Sequence, residues 1–392
     1  MRRFGHLVLV RLLPRIALLL GNIAVGLSIL APAGMLAQLA GDLSVGVQDA
    51  GLLVTYGAGV LCISSPVGAW LTSRIERRTL LVVTLAIVAA GGIATALAPN
   101  YATVLAVRLS MLVAAALYTP QAAATVAMIV PDKERPGAIA FVFLGWSLAL
   151  AAGLPLITFI TVHVGWRAVY VLLAMLCIVV GLMLRAALPA GLQGQPLSLS
   201  SFGTIARSST LTLILFITLL SASGQFSLTI YLAPLIEKLT GAGPATAALF
   251  FAIFGVTSLI GNIAATTVVP RFGMQTTFAI FLGLTIAGTA LWAVGAGILV
   301  LMGIGVAVSG LGFLASNSMQ QARLAIAAPP LAGASIALNT SMLYVGQAVG
   351  SGVGGMLYAR GLYTGPGYAS VCFMLVAVAV LVLTWQRRPA QS

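Results

Sequence analysis

Nearly the whole chain consists of apolar runs of about 20 residues, each long enough to cross a hydrocarbon layer about 30 Å thick, with the charges gathered in the short joints between them. That pattern predicts a polytopic membrane protein. Twelve helical spans are expected, at 16–39, 50–71, 80–97, 103–130, 137–162, 169–188, 211–235, 246–269, 276–294, 298–322, 331–358 and 368–385.

With 392 residues, 60% of them hydrophobic and 6% charged, the chain has too few polar groups to clothe a soluble globule. Its formal charge of +13 would point to nucleic acid in a soluble protein, because clustered Lys and Arg release counterions from phosphates. Placement argues otherwise. With the amino terminus taken as cytoplasmic, every Lys and Arg falls on the inner face except Arg108, Arg167, Lys238 and Arg360. This positive-inside bias fits an even number of spans with both termini cytoplasmic. Attraction to anionic lipid heads accounts for the basic face without a nucleic-acid partner. Cys62, Cys177 and Cys372 lie in apolar runs at no metal-ligand spacing, so neither a metal site nor a disulfide framework is expected. Arg11, Pro14 and Arg15 interrupt the first apolar region, and no removable signal peptide is expected.

The one extended polar stretch, 189–209, is rich in Gly, Gln, Pro and Ser and reads as a cytoplasmic linker. It divides the chain into an N-terminal bundle of six spans, 1–188, and a C-terminal bundle of six, 210–392. The joint from Gly68 through Arg74 and Arg77 is echoed by Gly261 through Arg271 and Gly273. Two parallel repeats of this kind place a transport site between the halves. Small-residue faces such as Gly346, Gly350 and Gly354 let helices approach closely. In the fifth span, Gly145, Gly153 and Pro155 predict a bend with a gating role, since Pro removes a backbone donor near two flexible positions.

The segment Ser65-Pro66-Val67-Gly68-Ala69-Trp70-Leu71-Thr72-Ser73-Arg74-Ile75-Glu76-Arg77-Arg78 resembles the loop between spans two and three of the major facilitator superfamily. Arg108 resembles that family's intramembrane arginine of the fourth span. Gly145 through Gly153-Leu154-Pro155 is similar to the fifth-span signature of its exporters, and 131–138 is similar to its four–five loop. Asn317 through Arg323, Ala337 through Thr340 and the glycines 346–355 are similar to the bacterial exporters related to arabinose, purine-nucleoside and chloramphenicol efflux proteins. The resemblance covers essentially the full chain. It implies an all-α integral membrane fold of twelve transmembrane helices in two pseudo-symmetric six-helix bundles, set in the bacterial inner membrane and working as a monomer. It also implies gating roles for Gly68, Arg74, Arg77 and Arg78. Two departures stand out: Ser73 occupies the usual loop aspartate position, with Glu76 the nearby acid, and the first span has Ile29 where related exporters often have a carboxylate.

All six acids, Asp42, Asp49, Glu76, Asp132, Glu134 and Glu237, fall in predicted joints or at span ends, as do His6 and His163. Proton relays in membranes ordinarily use Asp, Glu or His, so the proton coupling implied by the resemblance has no obvious carrier here. Arg108 is the one intramembrane charge. Its role is either functional, binding a polar or anionic substrate group or repelling cations and biasing another group's pKa, or structural, donating to carbonyls at a helix break or snorkelling outward. Uncharged polar residues offer a cavity lining. Thr340, Tyr344 and Gln347 share a helical face of the eleventh span, and Asn339 lies beside them. Phe313, Ser316 and Gln320, with Asn317 adjacent, do so in the tenth, and Ser221, Gln225 and Thr229 in the seventh. Asn22, Tyr56, Tyr118 and Gln121 are placed to face them from the first half. Together they predict a mixed aromatic and amide pocket for a neutral or amphipathic small molecule.

The expected function is a secondary transporter exporting a small organic molecule by alternating access, with protons as the implied coupling ion. An uncoupled facilitator or importer stays open beside it. A sensor or scaffold of the same fold, or a membrane enzyme, is a reading of another class. An enzyme would need convergent nucleophile, base or metal ligands at membrane depth, and the spans hold no such catalytic set, so no cofactor is expected.

Overall fold

The computed structural model describes residues 2–131, 134–193, 199–328 and 331–386. Asp132, Lys133, Arg387 and Arg388 of the expected basic joints lie outside the described residues. Among the described residues the regular structure is helical, apart from one isolated antiparallel bridge between Glu76 and Gln193.

The first span is α1, Arg2–Leu30. It stops well short of the expected residue 39, because Pro32 and Gly34 turn the chain through a buried 3-10 segment, Ala31–Gly34, into the short α2, Leu36–Asp42. Spans two to four are α3, Val47–Leu71, α4, Arg77–Ala96, and α5, Tyr101–Ile129. The fifth is broken as its glycines and proline predict. α6, Arg135–Leu148, runs into a π-helical turn at Ala149–Gly153 and resumes as α7, Leu154–Val164. Pro155 follows directly on the π turn in a continuous run of helical backbone, and its missing N–H leaves a carbonyl one turn earlier without its helical donor. The sixth span is α8, Trp166–Ala187.

The stretch read as a linker is not all extended. It holds an amphipathic helix, α9, Leu199–Arg207, whose Phe202 and Ile205 pack with Leu211, Leu215 and Leu324. Span seven is α10, Ser209–Thr229, followed after a break at Tyr231 by α11, Leu232–Thr240. Spans eight and nine form one 51-residue run, α12, Pro244–Val294, in which Gly273 takes φ 74° and reverses the chain. A side chain there would be strained. α13, Leu299–Ala327, α14, Ala332–Ala359, and α15, Gly365–Gln386, complete the twelve.

Within the first six spans, α4 packs on α5 and α8, α3 on α5, and α1 on α6 and α8. Within the last six, α10 packs on α14 and α15, and the two arms of α12 on α13 and α15. Gly346, Gly350 and Gly354 bring α14 against the carbonyls of Leu219, Ser223 and Ser227 on α10. The sets meet along two seams, α3 with α14 and α7 with α12. In the second, Gly255 of α12 lies against the backbone of Ala151 in the π turn, too close to admit a Cβ.

Candidate central cavity

Both seams tighten toward the face opposite the chain termini. There the Tyr231 hydroxyl sits against Gly51 of α3 and Gly355 of α14, where any Cβ would collide with it. Its ring stacks on Tyr358 at 5.8 Å, and Tyr358 meets Tyr363 at 5.3 Å. One turn deeper, the Thr55 and Ser351 hydroxyls bond across the seam at 2.8 Å. The far end is thus closed by aromatic and hydroxyl contacts.

Below this seal lies a cavity of about 500 Å³. It reaches from Leu30 and Ile230 near the seal to Ile139 and Ala322 toward the terminus-side face. Gln225, Asn317, Asn339, Thr340, Tyr344 and Gln347 line it, joining three of the predicted polar stripes on one wall. Trp146, Phe143, Phe226, Phe254 and Phe313 supply aromatic surface. Phe254 and Phe313 pack at 5.6 Å, and Phe226 meets Phe313 edge-on at 6.0 Å.

The other predicted lining residues lie elsewhere, each for a visible reason. Asn22 is fully buried behind the wall, its Nδ2 donating to the Val142 carbonyl at 2.9 Å and its Oδ1 accepting from Thr119 at 2.6 Å. Tyr118 is buried against Gly21, its hydroxyl 3.4 Å from the Leu18 carbonyl. Gln121 accepts from Arg77. Gln320 donates to the Ile214 carbonyl at 3.0 Å, binds Arg323, and borders a small pocket inside the last six spans. Tyr56 is 49% exposed on the outside of the bundle, one position round the helix from Thr55, which faces the seam.

Arg108 is also turned away from the cavity. It is 1% exposed and donates three times to carbonyls, from Nε to Leu53 at 3.1 Å, NH1 to Ser28 at 3.0 Å and NH2 to Ile29 at 2.6 Å. Ser28 and Ile29 belong to the last turn of α1, whose carbonyls have no partner further along the helix. The negative end of a helix dipole favours a cation there. Of the roles open to Arg108 in the sequence, the geometry matches the donor at a helix break.

The expected gating residues divide in the same way. Gly68 admits Leu117 of α5, Gly145 abuts the Leu19 carbonyl of α1, and Gly153 admits Leu27, so all three are close-packing points. Arg74 is exposed, whereas Arg77 is buried against Gln121 and is not among the lipid heads. Ser73, at the usual aspartate position, donates to the Trp70 carbonyl at 2.8 Å. Glu76 takes up the acidic role differently: Oε1 accepts the Gly191 N–H at 2.8 Å, the Thr79 hydroxyl donates to Oε2, and Arg78 lies 3.8 Å away. These contacts, the Thr79 hydrogen bond foremost and then that from Gly191, hold its carboxyl below the ordinary value of 4.5. They also pin the start of the linker to the loop between spans two and three, since the Leu192 carbonyl accepts the Arg77 N–H at 2.8 Å.

The sequence of the chain matches the profile of the Major Facilitator Superfamily over residues 18–340. It is 28% identical over 376 residues to the inner membrane transport protein YdhP of Escherichia coli K12, covering 94% of each chain. It is 28% identical to a chloramphenicol efflux pump of Mycobacterium tuberculosis, over 84% of this chain and 82% of that one. Its fold is similar to that of a D-xylose-proton symporter, with a TM-score of 0.76 at 16% identity over 96% of this chain and 98% of the other. A bacterial Spinster homologue in an inward-facing, unoccupied conformation gives a TM-score of 0.69 at 16% identity over 98% of each chain. Twelve membrane helices in two six-helix bundles, a profile match across most of the chain and full-length relatives named as transporters agree, and the chain belongs to the Major Facilitator Superfamily, as a multi-spanning, non-enzymatic transporter of small molecules.

Proposed function

We propose that this protein exports a small organic molecule from the cytoplasm across a bacterial inner membrane, by alternating access of the cavity between two bundles, 1–188 and 210–392, acting as a single chain. The observation that carries this reading is the cavity at the seam of the halves, closed at one face by Tyr231 and reaching toward the other. With the basic face cytoplasmic, as the charge bias argues, the cavity is inward-facing and ready to load from inside. The efflux name of one full-length relative supports the direction.

Energy coupling in this reading follows the substrate's own gradient. Antiport with protons, implied by the resemblance to exporters, requires a group that takes up and releases a proton as the cavity changes sides. The wall described here offers amides, hydroxyls and aromatic rings. Chloramphenicol, named for one relative, is a suitable first probe. Proteoliposomes preloaded with it are expected to release it at an unchanged rate when an imposed pH gradient is collapsed. A rate that follows the gradient, with protons moving in the opposite direction, would establish antiport instead. No release above that of empty liposomes, for chloramphenicol or any other efflux substrate tried, would refute transport.

A further inference from the structure

The cavity wall changes character from one bundle to the other. From the first six spans come Leu30, Phe143, Trp146, Leu150 and Leu154. Thr119 and Ser147 add hydroxyls on this side, and Thr119 is already paired, accepting from Trp146 Nε1 at 3.3 Å and donating to Asn22 at 2.6 Å. From the last six spans come six amides, and four of them, Gln225, Asn317, Asn339 and Gln347, each keep a buried end without a partner. Two of these ends are acceptors, Gln225 Oε1 and Asn317 Oδ1; two are donors, Asn339 Nδ2 and Gln347 Nε2. The opposite ends are fixed where the orientation matters most: Gln225 Nε2 donates to Thr229 at 2.7 Å, and Asn339 Oδ1 accepts from Thr218 at 2.7 Å. Among the described residues the lining includes no Asp, Glu, Lys, Arg or His.

These walls set what can bind. A buried polar group without a partner is unfavourable, so a ligand that supplies both a donor and an acceptor can complete this wall. An ion without a counter-charge has the opposite balance, because leaving water for an apolar enclosure costs it far more than neutral amides return. Arg108 is turned away from the cavity, with Nε, NH1 and NH2 each donating to a carbonyl, and is not in its lining.

We infer that the cavity takes an uncharged amphipath that carries a hydrogen-bond donor and acceptor at one end and an aromatic or aliphatic body at the other. The polar end lies against the amides of α10, α13 and α14, and the body lies among the rings that both bundles supply, Phe143 and Trp146 from α6 and Phe226, Phe254 and Phe313 from the last six spans. The inference rests on the reading of this cavity as the transport site, and it adds the substrate's charge class and its orientation.

Three probes of one skeleton test it: phenylbutanamide, phenylbutanoate and phenylbutylammonium, titrated at neutral pH into the full chain in lipid nanodiscs and read by calorimetry. The amide is expected to bind about ten-fold or more tighter than either ion. Gln225→Leu and Gln347→Leu, each checked for native elution and melting temperature, are expected to weaken the amide about ten-fold, the loss of one hydrogen bond. Two variants are used so that misfolding of one leaves the other to decide. The inference is overturned if either ion binds as tightly as the amide, if the amide does not bind, or if neither substitution changes its affinity. Counterflow of the amide in proteoliposomes separates the two readings. Binding without movement refutes the transporter reading and leaves the charge class standing; movement of the ions alongside the amide does the reverse.

Discussion

The two six-helix sets meet the same cavity with the same kinds of residue, yet they use them in opposite ways. In the first set, Asn22, Thr119 and Trp146 form a chain of hydrogen bonds that ends on the Val142 carbonyl, and Arg108 spends its donors on Leu53, Ser28 and Ile29. In the second set, Gln225, Asn317, Asn339 and Gln347 each keep one end unmatched beside the cavity. The first wall is thus a finished scaffold with an apolar face, and the second is left incomplete in a way that a ligand can complete. Polar residues within a membrane are therefore not interchangeable signs of a site: what matters is whether their own bundle has already used them.

The largest test of this contrast is Arg108→Leu, which strips donors from three buried carbonyls at the end of α1 and the middle of α3. A loss of about 3 kcal/mol or more is expected, seen as a collapse in monodisperse yield and melting temperature. Arg108→Lys should recover part of it. Native yield and stability with transport abolished would instead make the guanidinium part of the substrate site and dissolve the contrast.

A matched pair of amide deletions sharpens it. Asn22→Leu takes a side-chain donor from the Val142 carbonyl and the acceptor from the Thr119 hydroxyl, so stability should fall by about 1–3 kcal/mol. Gln347→Leu removes a buried amide whose Nε2 has no partner, so its effect on stability should be near zero or slightly favourable. Thermal unfolding of both variants in the same lipid is the measurement. Equal losses would mean that the two walls are built alike.

The smallest effect is expected at the loop that ties the first set to the linker. The Glu76 carboxyl titrates below its ordinary value in the fold, so its contribution is full above the usual glutamate range and drains as acid protonates it. Glu76→Gln should therefore lower the melting temperature slightly at neutral pH and flatten its decline toward acid. A decline as steep as that of the native protein would show that the carboxylate does not hold the linker to the loop between spans two and three.

Much of the fold was legible in the sequence because length and apolarity are what a bilayer demands of a helix. The bend at Gly153 and Pro155 and the packing face of α14 followed from residue chemistry alone. The early stop of α1 and the amphipathic α9 did not, since a hydropathy run passes smoothly over Pro32 and a polar composition hides a short helix. In the candidate site, the stripes of spans seven, ten and eleven bring Gln225, Asn317 and Gln347 to one wall of the cavity, while Gln320 of the tenth turns into its own bundle. Asn22 and Gln121 carried the same signal and lie behind the lining, because their partners are a carbonyl and an arginine from distant helices. Carbonyls have no sequence signature, which is also why Arg108 could be placed by depth and not by role. Tyr56 shows the cost of a single step, since one residue turns a helix by about 100°, enough to carry it from the seam to the outer surface. Trp146 and Asn262 were overlooked, although a Trp inside the Gly145–Gly153 signature and an amide within an apolar span were both visible.

The closure at the far face has a consequence for where such a protein can work. Tyr231 resting in the notches of Gly51 and Gly355 presents neither an ion that salt can shield nor a proton that mild acid can supply or remove. Salinity outside can shield the neighbouring Asp42–Arg167 pair, 3.4 Å apart on the same face, while the fit of the ring between two glycines answers to shape alone.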